Sequence, residues 1–165
     1  MTGPRAVFIG PMGSGKTKVG KRVAKALGTS FIDPDKVIVA EHGPIADIFD
    51  AHGEPHFRAL ERAAVHAALQ SDGIVSLGGG AVLDPETQRE LAELPVVYLT
   101  ITAEAVQSRL DNGKRPLVRD GIASWQRIFD ARRHIYEGLA TIEIDTSGVP
   151  YDGVAQEVID WLERA

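Results

Sequence analysis

Short apolar runs alternate along the chain with longer stretches of mixed character. The five runs are AVFIG (6–10), FID (31–33), GIVSLG (73–78), VVYLTI (96–101) and TIEID (141–145). Short runs without polar alternation are typical of strands that are buried on both faces of a parallel sheet. The pattern therefore predicts five strands, one for each run.

The stretches between the runs have the periodicity of helices. Apolar residues at intervals of three and four lie on one helix face, as do Val19, Val23 and Leu27, and then Phe57, Leu60, Ala64 and Ala67. Asp84 followed by Pro85 is typical of a helix start. Strands that alternate with helices predict an α/β fold, a five-stranded parallel sheet flanked by helices with right-handed connections. We expect one domain over residues 1–165.

Composition narrows the class of protein. The chain has 165 residues, 44% of them hydrophobic and 25% charged, which is the composition of one globular domain. A net charge of −5 disfavours binding to nucleic acid. The absence of cysteine excludes disulfides and thiol nucleophiles. With no apolar segment long enough for a signal peptide or membrane span, we expect a cytoplasmic monomer that binds neither nucleic acid nor membrane.

The strongest chemical signal is GPMGSGKT, residues 10–17, which matches G-x-x-x-x-G-K-[ST]. It lies between a predicted strand and a predicted helix, which is the context of a phosphate-binding P-loop. Its glycines let backbone N–H groups approach phosphate oxygens, and the helix start adds a positive dipole end. Lys16 can reach the β- and γ-phosphates, and the Thr17 hydroxyl can ligate Mg²⁺. A glycine-rich turn with a chance lysine is the disfavoured alternative.

Other sequence features identify the kind of P-loop protein. A GTPase needs an Asn-Lys-x-Asp guanine motif, but the only asparagine is Asn112 in DNGK. A mechanochemical ATPase usually shows four apolar residues followed by an acidic one, and neither IVSLGGG nor VVYLTI has this pattern. Protein-kinase motifs are also absent. The pattern favours a small kinase with ATP as co-substrate.

Two carboxylates follow the second predicted strand, at the sheet edge where ligands bind in open parallel sheets. In extended backbone, Asp33 and Asp35 would point the same way. One could hold Mg²⁺, directly or through water, and the other could accept a hydroxyl proton. The alternative is that one of them only caps the following helix.

Further charged groups have helical spacing. Glu54, Arg58 and Glu61 would share one helix face, a pattern that by itself usually indicates a solvated ladder of ion pairs. Arg132 and Arg133 could bind a carboxylate or a phosphate, although one of two adjacent side chains usually points to water.

Three glycines, Gly78 to Gly80, follow the third predicted strand and would expose backbone N–H groups at the same sheet edge. The polar stretch 109–124 is a candidate mobile loop, with an inert surface loop as the alternative. Trp125 and Trp161 are interpreted as helix-packing residues and not as a platform for a base.

Together these motifs resemble the shikimate kinase family almost from end to end. They are GPMGSGKT, Asp33-Pro-Asp35, Ile45-x-x-Ile48-Phe49, Gly53-Glu54-x-x-Phe57-Arg58-x-x-Glu61, Gly78-Gly79-Gly80, Arg115-Pro116-Leu117 and Arg132-x-x-x-Tyr136. The resemblance implies transfer of the ATP γ-phosphate to the 3-hydroxyl of shikimate, a step toward chorismate and the aromatic amino acids. Departures from the family pattern are Lys18, Pro34, Val39 and the lack of an arginine in residues 145–150.

The resemblance also implies roles for individual residues. The catalytic residues would be Lys16, Asp35 and Arg115. ATP would be bound by Gly13, Ser14, Gly15, Lys16, Thr17, Lys18, Arg109 and Arg115. Shikimate would be bound by Asp35, Arg58, Glu61, Gly78, Gly79, Gly80 and Arg132. Residues of about 33–62 would form the helical part of this binding region. Mg²⁺ would be held by Thr17 and Asp33, and a mobile lid of about 111–122 would bring in Arg115.

Two other readings of the residues stay open. Two arginines fit a substrate phosphate as well as a carboxylate, so another small P-loop kinase of gluconate or nucleoside monophosphate type is the first alternative. The second is a nucleotide-binding regulator or structural subunit without turnover. A pure binder has no need of acceptor-side residues such as Asp35 and Arg58, which argues against it.

Overall fold

The computed structural model describes residues 3–111 and 119–165 of the chain. The strands in these ranges are β1 (Ala6–Ile9), β2 (Phe31–Ile32), β3 (Ile74–Ser76), β4 (Val96–Thr100) and β5 (Ile142–Asp145). The helices are α1 (Lys16–Leu27), α2 (Pro34–His42), α3 (Ile45–His52), α4 (Glu54–Ala68), α5 (Pro85–Leu91), α6 (Ala103–Asp111), α7 (Arg119–Leu139) and α8 (Tyr151–Arg164), with a 3₁₀ turn at Ala81–Leu83. No helix within the described ranges has the length and apolar character needed to cross a bilayer.

The five strands form one sheet in the order β2-β3-β1-β4-β5, and every neighbouring pair is parallel. β1 lies between β3 and β4, with Phe8 opposite Ser76 on one side and Val97 on the other. The predicted α/β fold with a five-stranded parallel sheet is confirmed. Because β1 has a strand on each side, the loop after it opens at the middle of the carboxyl edge.

Successive side chains of each strand point to opposite faces of the sheet, so the protein has two hydrophobic cores, one on each face. Val7 and Ile9 of β1 face the helices α4, α5 and α7, while Ala6 and Phe8 face α1 and α8. All four are buried, which explains why β1 is apolar at every position.

A smaller core holds the helices α2, α3 and α4 together. Ile38, Ile48 and Phe57 are buried against one another, with an edge-to-face contact between Phe57 and Phe49 at a ring-centroid distance of 5.1 Å. These helices cover most of residues 34–68, a range that contains nearly all of the region of about 33–62 predicted to be helical around the acceptor. Their packing fixes the position of α4, which carries Arg58 and Glu61.

Both ends of the polar stretch 109–124 are helical, although its composition predicted a loop. Its first residues belong to α6, which ends at Asp111, and its last to α7, which begins at Arg119. Ile122, Trp125 and Phe129 explain the early start of α7, since their spacing forms an apolar helix face that packs on the core. Residues 112–118, including Arg115 and most of the predicted lid, lie outside the described residues.

Two leucines of different burial test the core assignment. Leu91 of α5 is fully buried, whereas Leu83 in the 3₁₀ turn is 42% exposed. Leu91→Ala should lower the free energy of unfolding by about 2–5 kcal/mol because it removes buried methyl groups and leaves a cavity. The matched variant Leu83→Ala should change it by less than about 1 kcal/mol. Urea unfolding of both variants measures the difference, and equal losses would contradict the assignment.

Candidate active site

The carboxyl ends of three strands bring the predicted site residues to one edge of the sheet. β1 leads into the P-loop, β2 into Asp33, and β3 into Gly78–Gly80. Since β3 pairs with both β1 and β2, these three segments lie side by side. The edge is where ligands bind in open parallel sheets.

Two P-loop glycines occupy positions that no other residue could fill without rearrangement. Gly10 has φ +144°, and a Cβ there would lie 2.1 Å from the Leu99 carbonyl oxygen. Gly15 has φ +99°, and a Cβ there would lie 2.7 Å from the ring of Tyr151. The loop is therefore packed tightly against β4 and the start of α8, which holds its backbone in place.

Lys16 folds back across the P-loop. Its Nζ donates to the carbonyl oxygens of Gly10 at 2.6 Å and Pro11 at 3.0 Å. Burial lowers the pKa of Lys16 to about 8. The nearby carboxylates of Asp35 and Asp33 oppose that shift, and Arg132 adds to it. These influences place Lys16 within electrostatic reach of the predicted acceptor site.

The two aspartates do not have the extended geometry that their spacing predicted. Asp33 is the N-cap of α2, and its Oδ1 accepts a hydrogen bond from the Asp35 backbone N–H at 3.0 Å. Asp35 itself lies in the first helical turn. The physical reason is Pro34, which occupies the first helical position, where its fixed φ and missing N–H favour a helix start. The capping alternative is thus observed for Asp33.

Asp35 nevertheless points into the site. A Cβ at position 78 would lie 2.5 Å from Asp35 Oδ2, so the carboxylate packs directly on the backbone of Gly78. Its Oδ1 is buried and has no hydrogen-bond partner among the described residues. Burial raises the pKa of Asp35, Asp33 raises it further, and Arg58 and Lys16 lower it. A carboxylate with a raised pKa and an unused buried oxygen is suited to accept a proton.

Arg58 is held by two carboxylates of its own helix. Its Nη1 donates to Glu61 Oε1 at 2.8 Å, and its Nη2 donates to Glu54 Oε2 at 3.2 Å. Glu61 is buried, so this pair is not the solvated ladder that its spacing alone would indicate. A Cβ at position 80 would lie 2.6 Å from Arg58 Nη1, which puts the guanidinium against the backbone of Gly80.

Of the two adjacent arginines on α7, only Arg132 faces the site. Its Nη1 would lie 3.4 Å from a Cβ at position 79. Arg133 is exposed, pairs with Asp130 at 3.1 Å, and lies over the Phe129 ring. Helical spacing alone could not separate the two, because the choice depends on the orientation of α7; the family resemblance had assigned Arg132.

Tyr136 supports this side of the site, although its sequence motif carried no predicted role. Its Oη donates to the Gly79 carbonyl oxygen at 2.7 Å, and its ring stacks on Tyr98. Burial raises the pKa of Tyr136 to about 12, so the phenol stays protonated and remains a donor. The bond fixes the peptide of Gly79 next to Arg132.

The other side of the P-loop is lined by Arg109, Tyr151 and Lys18. Arg109 Nη1 donates to the Gly13 carbonyl oxygen at 3.0 Å, and its guanidinium lies 4.9 Å from the centre of the Tyr151 ring. The Lys18 ammonium lies 5.5 Å from the same ring centre. Cation–π contacts thus hold two predicted ATP-binding residues beside the loop.

Comparison with known proteins agrees with this geometry. A family model described as Shikimate kinase matches residues 12–163. A shikimate kinase of Streptomyces avermitilis is 46% identical over 99% of this chain and 98% of its own. A solved shikimate kinase of Acinetobacter baumannii in complex with shikimate has a TM-score of 0.87 and 28% identity, covering 99% of this chain and 94% of that chain.

A gluconokinase of Sinorhizobium meliloti shares the fold, with a TM-score of 0.68 at 21% identity over 96% of this chain and 91% of its own. A parallel sheet with a P-loop after its central strand, facing a second set of charged side chains, defines an ATP-dependent small-molecule kinase. Among these enzymes, the chain belongs to the shikimate kinase family.

The raised pKa of Asp35 has a consequence for stability. A carboxyl whose pKa is higher folded than unfolded binds its proton more readily in the native state, so ionisation above that pKa destabilises the fold. Asp35→Asn cannot ionise, and its melting temperature should exceed that of the wild type near about pH 8. The gain should shrink as the pH falls toward about 4, the ordinary pKa of an aspartate, because the folded wild type takes up the Asp35 proton at a higher pH than the unfolded chain does.

Scanning calorimetry at both pH values measures this difference. Asp50, an exposed aspartate on α3, provides the matched variant Asp50→Asn, which should change the melting temperature little at either pH. A lower melting temperature of Asp35→Asn near neutral pH would contradict the electrostatic argument.

Proposed function

We propose that this chain transfers the γ-phosphate of ATP to the 3-hydroxyl of shikimate, giving shikimate 3-phosphate and ADP. The observation that carries the proposal is the arrangement around Gly78–Gly80. Each glycine packs on one predicted acceptor residue, Gly78 on Asp35, Gly79 on Arg132 and Gly80 on Arg58. A base and two guanidinium groups therefore surround one stretch of bare backbone, within electrostatic reach of the P-loop lysine.

The two arginines are proposed to bind the shikimate carboxylate. Guanidinium groups bind carboxylates through planar, charge-assisted hydrogen bonds. The buried carboxylate of Glu61 orients Arg58 by holding Nη1. Nε and Nη2 are bonded to the exposed carboxylate of Glu54, which the shikimate carboxylate would displace. Tyr136 holds the Gly79 peptide beside Arg132. An anionic ring compound would thus be oriented with its hydroxyl groups toward Asp35.

Asp35 is proposed to act as the general base. Its carboxylate takes the proton of the 3-hydroxyl as that oxygen attacks the γ-phosphorus, and the bond from phosphorus to the bridging oxygen of ADP breaks. The products are the phosphate ester, ADP and protonated Asp35, which releases its proton to solvent. Burial favours this role because it raises the proton affinity of the carboxylate.

On the nucleotide side, the backbone of Gly13, Ser14 and Gly15 and the start of α1 are proposed to hold the phosphates. Lys16 would exchange its bonds to the loop carbonyls for phosphate oxygens, whose charge would raise its lowered pKa and keep it protonated. Arg109 lies beside the loop in position to contact the nucleotide, and Lys18 does so from the exposed side of α1.

Thr17 and Asp33 fit the needs of a magnesium ion that enters with ATP. The Asp33 cap uses only Oδ1, so Oδ2 remains available, and Thr17 follows Lys16 in the first turn of α1. Mg²⁺ prefers oxygen ligands and keeps several waters, so a hydroxyl and one carboxylate suffice beside the phosphates. The ion would neutralise phosphate charge when bound.

Arg115 and a lid of about 111–122 stay predictions, since residues 112–118 lie outside the described residues. We also propose that the enzyme acts as a cytoplasmic monomer.

The fold that the chain shares with a gluconokinase does not by itself decide between shikimate and other acceptors. ADP release measured with shikimate, quinate, gluconate, AMP and CMP separates these possibilities. We expect turnover with shikimate well above the others. Turnover that is highest with gluconate or a nucleotide would refute the proposal.

Replacement of the proposed base should remove turnover but not nucleotide binding. Asp35→Asn should lower kcat at least about 100-fold, because the amide cannot accept the hydroxyl proton. The kcat/KM of the wild type should rise with pH through the raised pKa of Asp35. Steady-state kinetics and ADP calorimetry test this together, and a kcat within about threefold of the wild type would exclude Asp35 as base.

Lysine at either acceptor arginine should weaken shikimate binding selectively. Arg58→Lys and Arg132→Lys keep the charge but lose the planar fork, so the KM for shikimate should rise about 10- to 150-fold while the KM for ATP changes little. Arg133→Lys, on the same helix but paired with Asp130, is the matched control and should leave both KM values unchanged. Shikimate methyl ester should be a poor substrate. An ester as good as the acid, or a selective loss of ATP binding, would refute the carboxylate assignment.

A further inference from the structure

Three successive carbonyl groups of the P-loop are bound by side chains from the second half of the chain. The Met12 oxygen accepts from Trp125 Nε1 at 2.8 Å. The Gly13 oxygen accepts from Arg109 Nη1 at 3.0 Å, and the Ser14 oxygen accepts from the Thr146 hydroxyl at 2.8 Å. These donors come from α7, α6 and the loop after β5.

Anchored carbonyls determine where the next N–H groups point. The described peptide bonds are all trans, so the N–H of a peptide points opposite to its C=O. The bond from Trp125 therefore turns the N–H of Gly13 away from α7, and the bond from Thr146 turns the N–H of Gly15 away from the loop after β5. A phosphate-binding loop depends on the direction of its backbone N–H groups.

Trp125 contributes a hydrogen bond to the P-loop in addition to its packing in the core. Its side chain is 5% exposed and packs on Phe129, in accord with the helix-packing interpretation of the sequence. The indole N–H is, in addition, directed at a backbone atom of the loop. The Met12 side chain is 52% exposed, so the bond from Trp125 is a direct restraint on the Met12–Gly13 peptide that the Met12 side chain does not supply.

We propose that Trp125 is a positioning residue for nucleotide binding, which orients the Gly13 N–H toward the phosphates through its bond to the Met12 carbonyl. The inference rests on the proposed use of ATP but not on the identity of the acceptor. P-loop N–H groups contact the α- and β-phosphates. Loss of the bond should therefore weaken the binding of nucleotides that carry a β-phosphate more than the binding of those that do not.

Calorimetry of the purified full-length chain with ADP and with AMP tests this difference. Trp125→Phe keeps an aromatic ring in the core but removes the donor, and the Kd for ADP should rise about 3- to 10-fold while that for AMP stays within about twofold. Trp161→Phe is the matched control, because Trp161 on α8 packs against the opposite face of the sheet. It should leave both Kd values unchanged. In kinetics, the KM for ATP should rise for Trp125→Phe while the KM for shikimate stays within about twofold.

A second variant separates the hydrogen bond from ring shape in case Trp125→Phe folds poorly. In the Trp161→Phe background Trp125 is the only tryptophan, so it can be replaced by 3-benzothienylalanine, which has sulfur in place of the N–H. This analogue should weaken ADP about as much as Trp125→Phe does. Unchanged ADP affinity with the analogue, or equal weakening of ADP and AMP, would overturn the proposal. Absence of turnover with shikimate would refute the proposed function and leave this binding result intact.

Discussion

The site depends on the packing of charged side chains against backbone that carries no Cβ. At Gly78 and Gly80 an added methyl group would lie 2.5 Å and 2.6 Å from Asp35 and Arg58, respectively. These glycines follow β3, whose register with β1 and β2 is set by buried strand residues. The hydrophobic sheet thus determines how closely the acceptor residues approach one another.

The electrostatics of the site are unfavourable in a way that suits its ligands. Burial pushes Lys16 toward its neutral form and Asp35 toward its protonated form. Phosphate groups would favour the charged lysine, and a hydroxyl group would offer the buried oxygen of Asp35 the hydrogen bond that no described residue supplies. Groups whose charged forms are disfavoured before binding are common in catalytic sites. The packing of the neighbouring core offsets the folding free energy that they cost.

Local patterns determined the elements and the main motif. The apolar runs predicted all five strands. β1, β3 and β4 are buried on both faces, as such runs indicate, whereas the edge strands β2 and β5 are only partly buried. GPMGSGKT indicated the P-loop because the conformation of its glycines follows from local sterics. Asp33 followed by Pro34 is also the sequence signal of a helix start. The prediction of extended backbone from Asp33 to Asp35 was wrong because it gave that signal too little weight.

Only the tertiary structure decided which charged groups meet. The burial of Glu61 and the orientation of Arg132 rather than Arg133 depend on how α4 and α7 pack on the sheet. The bond from Trp125 to Met12 joins residues 113 positions apart in the chain. Such contacts have no local sequence signal, because helical spacing places a residue on a face of its own helix but the packing of the core determines what that face meets.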